Sequence, residues 1–89
     1  MEADRDKAKA AYGKVVNAEQ LGAVIRLKRK ETGIRQEVAA GMTGVGTKFL
    51  SQLENGKETA ELGKALQVLQ KMGLDLYVFP RSAAPFKER

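Results

Sequence analysis

Residues 44–57 read GVGTKFLSQLENGK, a glycine-valine-glycine turn running straight into a short segment that ends Leu-Glu-Asn-Gly-Lys. Val45, Phe49, Leu50 and Leu53 recur at intervals of three and four, the spacing that lines up one face of a helix. The pattern predicts a helix from Gly46 or Thr47 to Asn55, stopped by Asn55-Gly56, where glycine frees the chain to turn. Before it, Thr43-Gly44 breaks a second short helix predicted over residues 35–42, with Val38, Ala39 and Met42 facing inward.

Upstream, three signals agree on the start of a longer helix. Asn17 is placed to cap it, Gln20 to close a capping box three residues on, and Val16 and Leu21 to form a hydrophobic staple. Its apolar side carries Leu21, Val24 and Ile25, and Gly33 ends it. Arg26, Lys28, Arg29 and Lys30 crowd its last turns, where cations complement the helix dipole or face a phosphate backbone.

Downstream, Thr59 is expected to cap a fourth helix, whose stripe is Leu62, Ala65, Leu66, Leu69 and Met72 and whose end is Gly73. The period then changes from helical to alternating. Leu74, Leu76 and Val78 fall on one face and Asp75, Tyr77 and Phe79 on the other, which reads as a strand closed by Pro80. A lone strand cannot satisfy its own backbone groups. The same strand of a second copy is the simplest partner, which assigns Leu74, Leu76, Tyr77, Val78 and Phe79 to dimerisation; pairing with another protein, or a non-strand tail packed on the helices, are the alternatives. The expected organisation is a flexible basic arm at 1–15, a helical domain at 16–73, the dimerisation strand at 74–80 and a flexible tail at 81–89.

The chain has 89 residues, room for one core and no second. It contains no cysteine and no histidine, which excludes disulfides and the usual zinc sets, so no metal or other cofactor is expected. Those absences also remove the commonest general base and the best thiol nucleophile; the remaining polar residues form no catalytic constellation, and no enzyme is expected. Sixteen Lys and Arg against eleven Asp and Glu give +5 at neutral pH, a balance that favours polyanions, nucleic acid above all. No window approaches the ~18 apolar residues of a membrane span, and MEADRDKAKA lacks the apolar centre of a signal peptide. A cytoplasmic, nucleoid-associated protein without membrane contact is expected.

Two short helices joined by a glycine turn in a basic helical domain make a helix-turn-helix, whose second helix enters the DNA major groove N-terminus first. Val45, Leu50 and Leu53 would hold that helix rigidly. Thr47, Lys48, Ser51 and Gln52 would face the DNA, since Lys suits guanine acceptors, Gln pairs with adenine, and Thr touches a thymine methyl or a phosphate. Any one of them alone would be a solvated helix face; their common spacing carries the reading.

The stretch IRQEVAAGMTGVGTKFLSQLENGK, residues 34–57, resembles the Xre family of lambda-repressor/Cro-type helix-turn-helix domains in its Gln-Glu opening, its Gly-Val turn and its Leu-Glu-Asn-Gly-Lys ending. The resemblance covers residues 18 to about 73. It implies a mainly α fold, a lambda-repressor-like domain of four to five helices, here with the added strand pairing across a homodimer. It implies that Gln36 contacts phosphate and braces the recognition helix, that Thr47, Lys48 and Gln52 read bases with Phe49 and Ser51 beside them, and that Asn55 and Lys57 grip phosphates. Arg29 and Glu54 match a pair that ties the first helix to the end of the third. Three residues depart from the family's pattern. Arg35 replaces the usual Thr cap but adds a cation where phosphates would pass, Ala39 replaces a Leu, and Lys28 stands where an apolar residue is common. Phe49 either contacts thymine methyls or folds back under the helix.

Residues 44–80, ending KALQVLQKMGLDLYVFP, are similar to the HipB-like antitoxin branch, in which the helical domain continues into a strand that pairs across the dimer. That resemblance implies double-stranded operator DNA, a second copy of the chain and a HipA-like serine/threonine kinase toxin as partners, with repression of the protein's own promoter. A stand-alone Xre-type regulator and a protein-interaction adaptor that does not touch DNA are the alternative readings.

Overall fold

The computed structural model describes residues 11–83. Residues 1–10 of the expected arm and 84–89 of the expected tail lie outside them. Among the described residues the chain forms α1 (Ala18–Glu31), α2 (Gln36–Thr43), α3 (Thr47–Glu54) and α4 (Leu62–Lys71), followed by a 3-10 turn at Arg81–Ala83. The architecture is mainly α, with α1 packed on α3, and α2 on both α3 and α4.

The start of α1 is where local sequence placed it. Asn17 Oδ1 accepts from the Gln20 N–H at 2.8 Å, and Gln20 Oε1 accepts in return from the Val16 N–H at 2.8 Å. Such a cap satisfies donors that have no partner inside the helix and contributes about 1 kcal/mol. The staple is another matter: Val16 remains 63% exposed.

Ile25 of α1, Ala39 and Ala40 of α2, Leu50 and Leu53 of α3, and Ala65, Val68 and Leu69 of α4 form one buried cluster. Burying each of the larger members stabilises by roughly 1.5–3 kcal/mol. Leu21, Ile34, Val45, Phe49, Met72 and Leu74 pack around it.

Three expectations are corrected here. In α2, Val38 and Met42 do not face inward but are 42% and 62% exposed, and the inner face is Ala39, Ala40 and Thr43. The short α2 packs against two helices at once, and its alanines let both come close; Thr43 joins them because its hydroxyl donates to the Ala39 carbonyl at 2.9 Å. In α4, Leu62 and Leu66 flank the buried Ala65, Val68 and Leu69 and stay exposed. Thr59 does not cap that helix. The chain turns once more at Lys57–Ala60, with the Ala60 N–H donating to the Lys57 carbonyl at 3.2 Å, so the helix begins later, at Leu62, after an N-cap, Glu61, that makes no side-chain cap bond.

Residues 74–80, expected to pair with a second copy, form no strand in the single chain. The Leu74 N–H closes the end of α4 by donating to the Leu69 carbonyl at 2.9 Å, and its side chain is half-buried against the core. Beyond it Leu76, Tyr77, Val78 and Phe79 are all exposed. The rings of Tyr77 and Phe79 stack with centroids 6.0 Å apart, as side chains two residues apart do on an extended backbone. Among the described residues no strand offers this segment a ladder to join.

Candidate nucleic-acid interface

α3 is short and amphipathic, and its orientation follows from what it buries. Leu50, Leu53 and Glu54 point inward. At about 100° per residue, Lys48 and Gln52 then lie opposite the buried side, with Phe49 on one flank and Thr47 and Ser51 on the other. Thr47 and Lys48 are exposed, and Ser51 and Gln52 are half-exposed. The four hydrogen-bonding residues expected at the surface thus share one outward face. Phe49 is half-buried and packs against the core, and the Lys64 ammonium of α4 sits 5.6 Å from its ring centroid.

The glycine turn that opens α3 is fixed at both ends. Gly44 takes φ +80°, a left-handed conformation that side chains disfavour, and the Val45 N–H reaches back to the Ala40 carbonyl at 3.0 Å. From α4, Gln67 Nε2 donates to the Thr43 carbonyl at 2.7 Å, closing an α2 carbonyl that has no partner inside its helix. Nothing in local sequence announces Gln67; it acts across 24 residues.

Below α3 lies a buried ion pair. Arg29 Nε donates to Glu54 Oε2 at 2.7 Å and Nη2 to Glu54 Oε1 at 2.9 Å, while Nη1 donates to the Ile34 carbonyl at 2.9 Å. The hydrogen bond to Glu54 raises the Arg29 pKa above its ordinary value, against the opposing effect of burial. Gln36 joins the same carboxylate, donating from Nε2 to Glu54 Oε1 at 3.0 Å. The end of α1, the start of α2 and the end of α3 are therefore pinned to one side chain. The expected Arg29–Glu54 tie is present as a forked pair, and Gln36 is held beside it.

Of the remaining residues expected at phosphates, Arg35 precedes α2 and is exposed, making no side-chain cap, and Asn55 is the exposed C-cap of α3. Lys57 is exposed in the following loop and donates to Gln52 Oε1 at 3.2 Å. Arg35 and Gln36 open the α2-turn-α3 unit in sequence and Asn55 and Lys57 follow it, and the Gln36–Glu54 hydrogen bond brings the start of α2 close to the end of α3, where Asn55 is the C-cap. The residues expected at the dimer contact, Leu76, Tyr77, Val78 and Phe79, belong to a separate exposed apolar segment.

The sequence profile of the helix-turn-helix family matches residues 25–79, which include this whole unit. The chain belongs to the helix-turn-helix family. Within it the chain is of the Xre, lambda-repressor type, a group of DNA-binding transcriptional regulators. An HTH-type transcriptional regulator of Sinorhizobium fredii, y4mF, is 50% identical over 56 residues, 63% of this chain and 74% of the relative. Among solved structures, the fold is similar to that of HipB in a complex with an O4 20mer, with a TM-score of 0.70 and 23% identity over 78% of this chain and 97% of that one. A HipA-HipB-O2-O3 complex contains a chain matched equally well, at TM-score 0.70 and 23% identity over 78% and 97%.

The placement of α3 depends on residues that never reach its outward face. Gly22 of α1 is the clearest case that sequence reading passed over. A Cβ there would collide with the Leu53 carbonyl oxygen and stand 2.7 Å from that of Glu54, so α1 crosses the end of α3 backbone against backbone. A glycine inside a helix is a signal of close approach in general. Only the fold says what it approaches.

Proposed function

We propose that this helix-turn-helix regulator is a dimeric repressor of its own operon and the antitoxin to a HipA-like serine/threonine kinase toxin. The observation that carries the DNA reading is α3 itself, a firmly seated helix whose outward face offers Lys48, Gln52, Thr47 and Ser51, with phosphate-binding candidates at the start of α2 and after the end of α3. Lys48 and Gln52 read base edges at the centre of the groove, while Thr47 and Ser51 touch its flank. Arg35, Gln36, Asn55 and Lys57 grip the backbone and set the register. Phe49, with its ring against the core, shapes the surface at the opposite flank.

Dimerisation rests on residues 74–80. Four apolar side chains in a row left in water by the protomer, with unpaired backbone groups, are what a strand looks like before its partner arrives. Pairing with the same segment of a second copy satisfies both and sets two α3 helices about one turn of DNA apart, some ~34 Å, over a palindrome. The antitoxin role is supported by likeness of fold to HipB, which is found together with HipA in one of the matched complexes. A protein with this task works in the cytoplasm, on the nucleoid.

The test compares the intact protein with a version ending at Gly73 by sedimentation equilibrium, then titrates each with DNA from immediately upstream of its gene at two salt concentrations. The reading expects a dimer that requires residues 74–80 and binds with a steep salt slope. A monomer indifferent to that DNA would leave the adaptor reading standing. Co-expression with a neighbouring kinase gene and recovery of a stoichiometric complex tests the antitoxin role; a neighbouring kinase that ignores the protein removes it.

A further inference from the structure

We infer that Lys64, on the first turn of α4, is a DNA-backbone contact held in place by Phe49, a role that rests on the DNA-binding reading above. Phe49 and Lys64 are 15 positions apart in the chain, yet the ammonium lies 5.6 Å from the ring centroid, a cation over an aromatic face. The ring is fixed from below by its packing on the core, so it forms a platform at the edge of the recognition helix.

The position of that edge gives the contact its meaning. A helix with its side chains is about 10–12 Å across and fills a major groove about 12 Å wide. Residues opposite the buried side, Lys48 and Gln52, then face the floor of the groove. A cation stacked on the flanking Phe49 stands beside the helix, at the wall, where the groove is sugar and phosphate. Lys64 therefore adds a cation on the flank opposite Thr47 and Ser51.

Two local features agree. A lysine in the first turn of a helix opposes the helix dipole, so α4 gains nothing from this charge by itself. Its ion pair among the described residues is loose: Nζ is 3.9 Å from Glu61 Oε1, with the two side chains 52% and 67% exposed. A phosphate oxygen replaces that contact without leaving a buried charge behind. Apart from its contact with the Phe49 ring and this weak ion pair, the charge works against its own helix, and local rules are broken most often at functional sites.

The role of Phe49 follows. Its ring is occupied on one side by the core and on another by Lys64, which makes it a positioning residue for a phosphate contact instead of a reader of thymine methyls.

Lys64→Met keeps a stem on the ring and removes the charge; Lys64→Arg keeps both. Each is titrated against two duplexes, one from the protein's own upstream DNA and one of unrelated sequence, over a series of salt concentrations. Lys64→Met is expected to weaken binding to both duplexes by the same factor, roughly threefold per protomer, and to lower the slope of log affinity against log salt by about 0.9 per protomer. Lys64→Arg is expected to retain both values, and Glu61→Gln to tighten binding to both duplexes. A Lys64→Met protein with unchanged slope, whether or not it melts earlier, overturns the assignment, as does a loss confined to the protein's own upstream duplex. A wild-type protein that ignores both duplexes overturns the DNA-binding reading and this inference with it.

Discussion

The junction of α1 with α3 and the segment that follows α4 are built on opposite terms. At the junction every group is matched inside the chain: Gly22 leaves space for the Leu53 and Glu54 carbonyls, Arg29 meets Glu54 with two hydrogen bonds, and Gln36 and the Ile34 carbonyl complete the set. Among the described residues no buried side-chain nitrogen or oxygen lacks a partner. After Met72 the chain instead presents Leu76, Tyr77, Val78 and Phe79 to water. The first region holds the outward face of α3 in place. The second leaves apolar side chains in water, and it is the region on which the proposed dimer rests.

Removing the buried carboxylate tests the first region most severely. Glu54→Ala leaves Arg29 charged and unpaired in the interior and is expected to cost about 3–5 kcal/mol in urea unfolding. A cost under about 1 kcal/mol would mean that water reaches the pair and the junction is not closed. Gly22→Ala forces a methyl group onto two carbonyls and is expected to cost about 1–3 kcal/mol by overpacking. An unchanged midpoint would show that α1 can slide away from α3 freely.

Asn17→Ala removes a cap on the far end of α1 and is expected to cost about 1 kcal/mol in the same experiment. Val78→Asp should change the protomer's own stability by less than about 0.5 kcal/mol, measured at concentrations where the chain is monomeric. The same substitution is expected to abolish the dimer in sedimentation. A large loss of protomer stability would place residues 74–80 with the core and erase the contrast drawn here.

The smallest effect concerns pH. The Tyr12 hydroxyl donates to Glu31 Oε1 at 2.6 Å, and that bond holds its proton and raises its pKa above the ordinary tyrosine value. Because the neutral form makes the bond, the tie of residue 12 to α1 is fully present below about pH 10 and is lost as pH rises through the raised value. An ultraviolet titration of tyrosinate should show a late step that Tyr12→Phe removes. The raised Arg29 value works in the same direction. Its share of the ion pair is complete below the ordinary arginine pKa and is lost only as pH climbs through the folded value, so it contributes no pH dependence near neutrality.

Much of the architecture was legible because it is decided within a few residues. The cap at Asn17, the breaks at Gly33, Gly44, Gly56 and Gly73, each with positive φ, and the extents of α1, α2 and α3 all rest on local backbone chemistry. The composition of the outward face of α3 was legible for the same reason, since one turn of helix fixes which side chains share a side. The faces of α2 and α4 were not. Val38, Met42, Leu62 and Leu66 are as apolar as their buried neighbours, and a stripe of helical period can rotate by one position without changing its pattern.

By itself, then, the sequence determined that this is a basic, helical, cysteine-free chain with two short helices around a glycine turn and a polar row on the second of them. Caps, glycines and helical period act over four residues or so, and a single sequence displays them in full. Tertiary structure alone decided which flank of α3 Phe49 occupies and that Lys64 covers it, that Gln67 closes the end of α2, and that Gly22 is where two backbones touch. It also decided that residues 74–80 do not complete a sheet in one protomer. Those outcomes join residues 15 to 30 or so apart, or leave a segment exposed, and a contact of that range exists only once the helices have packed.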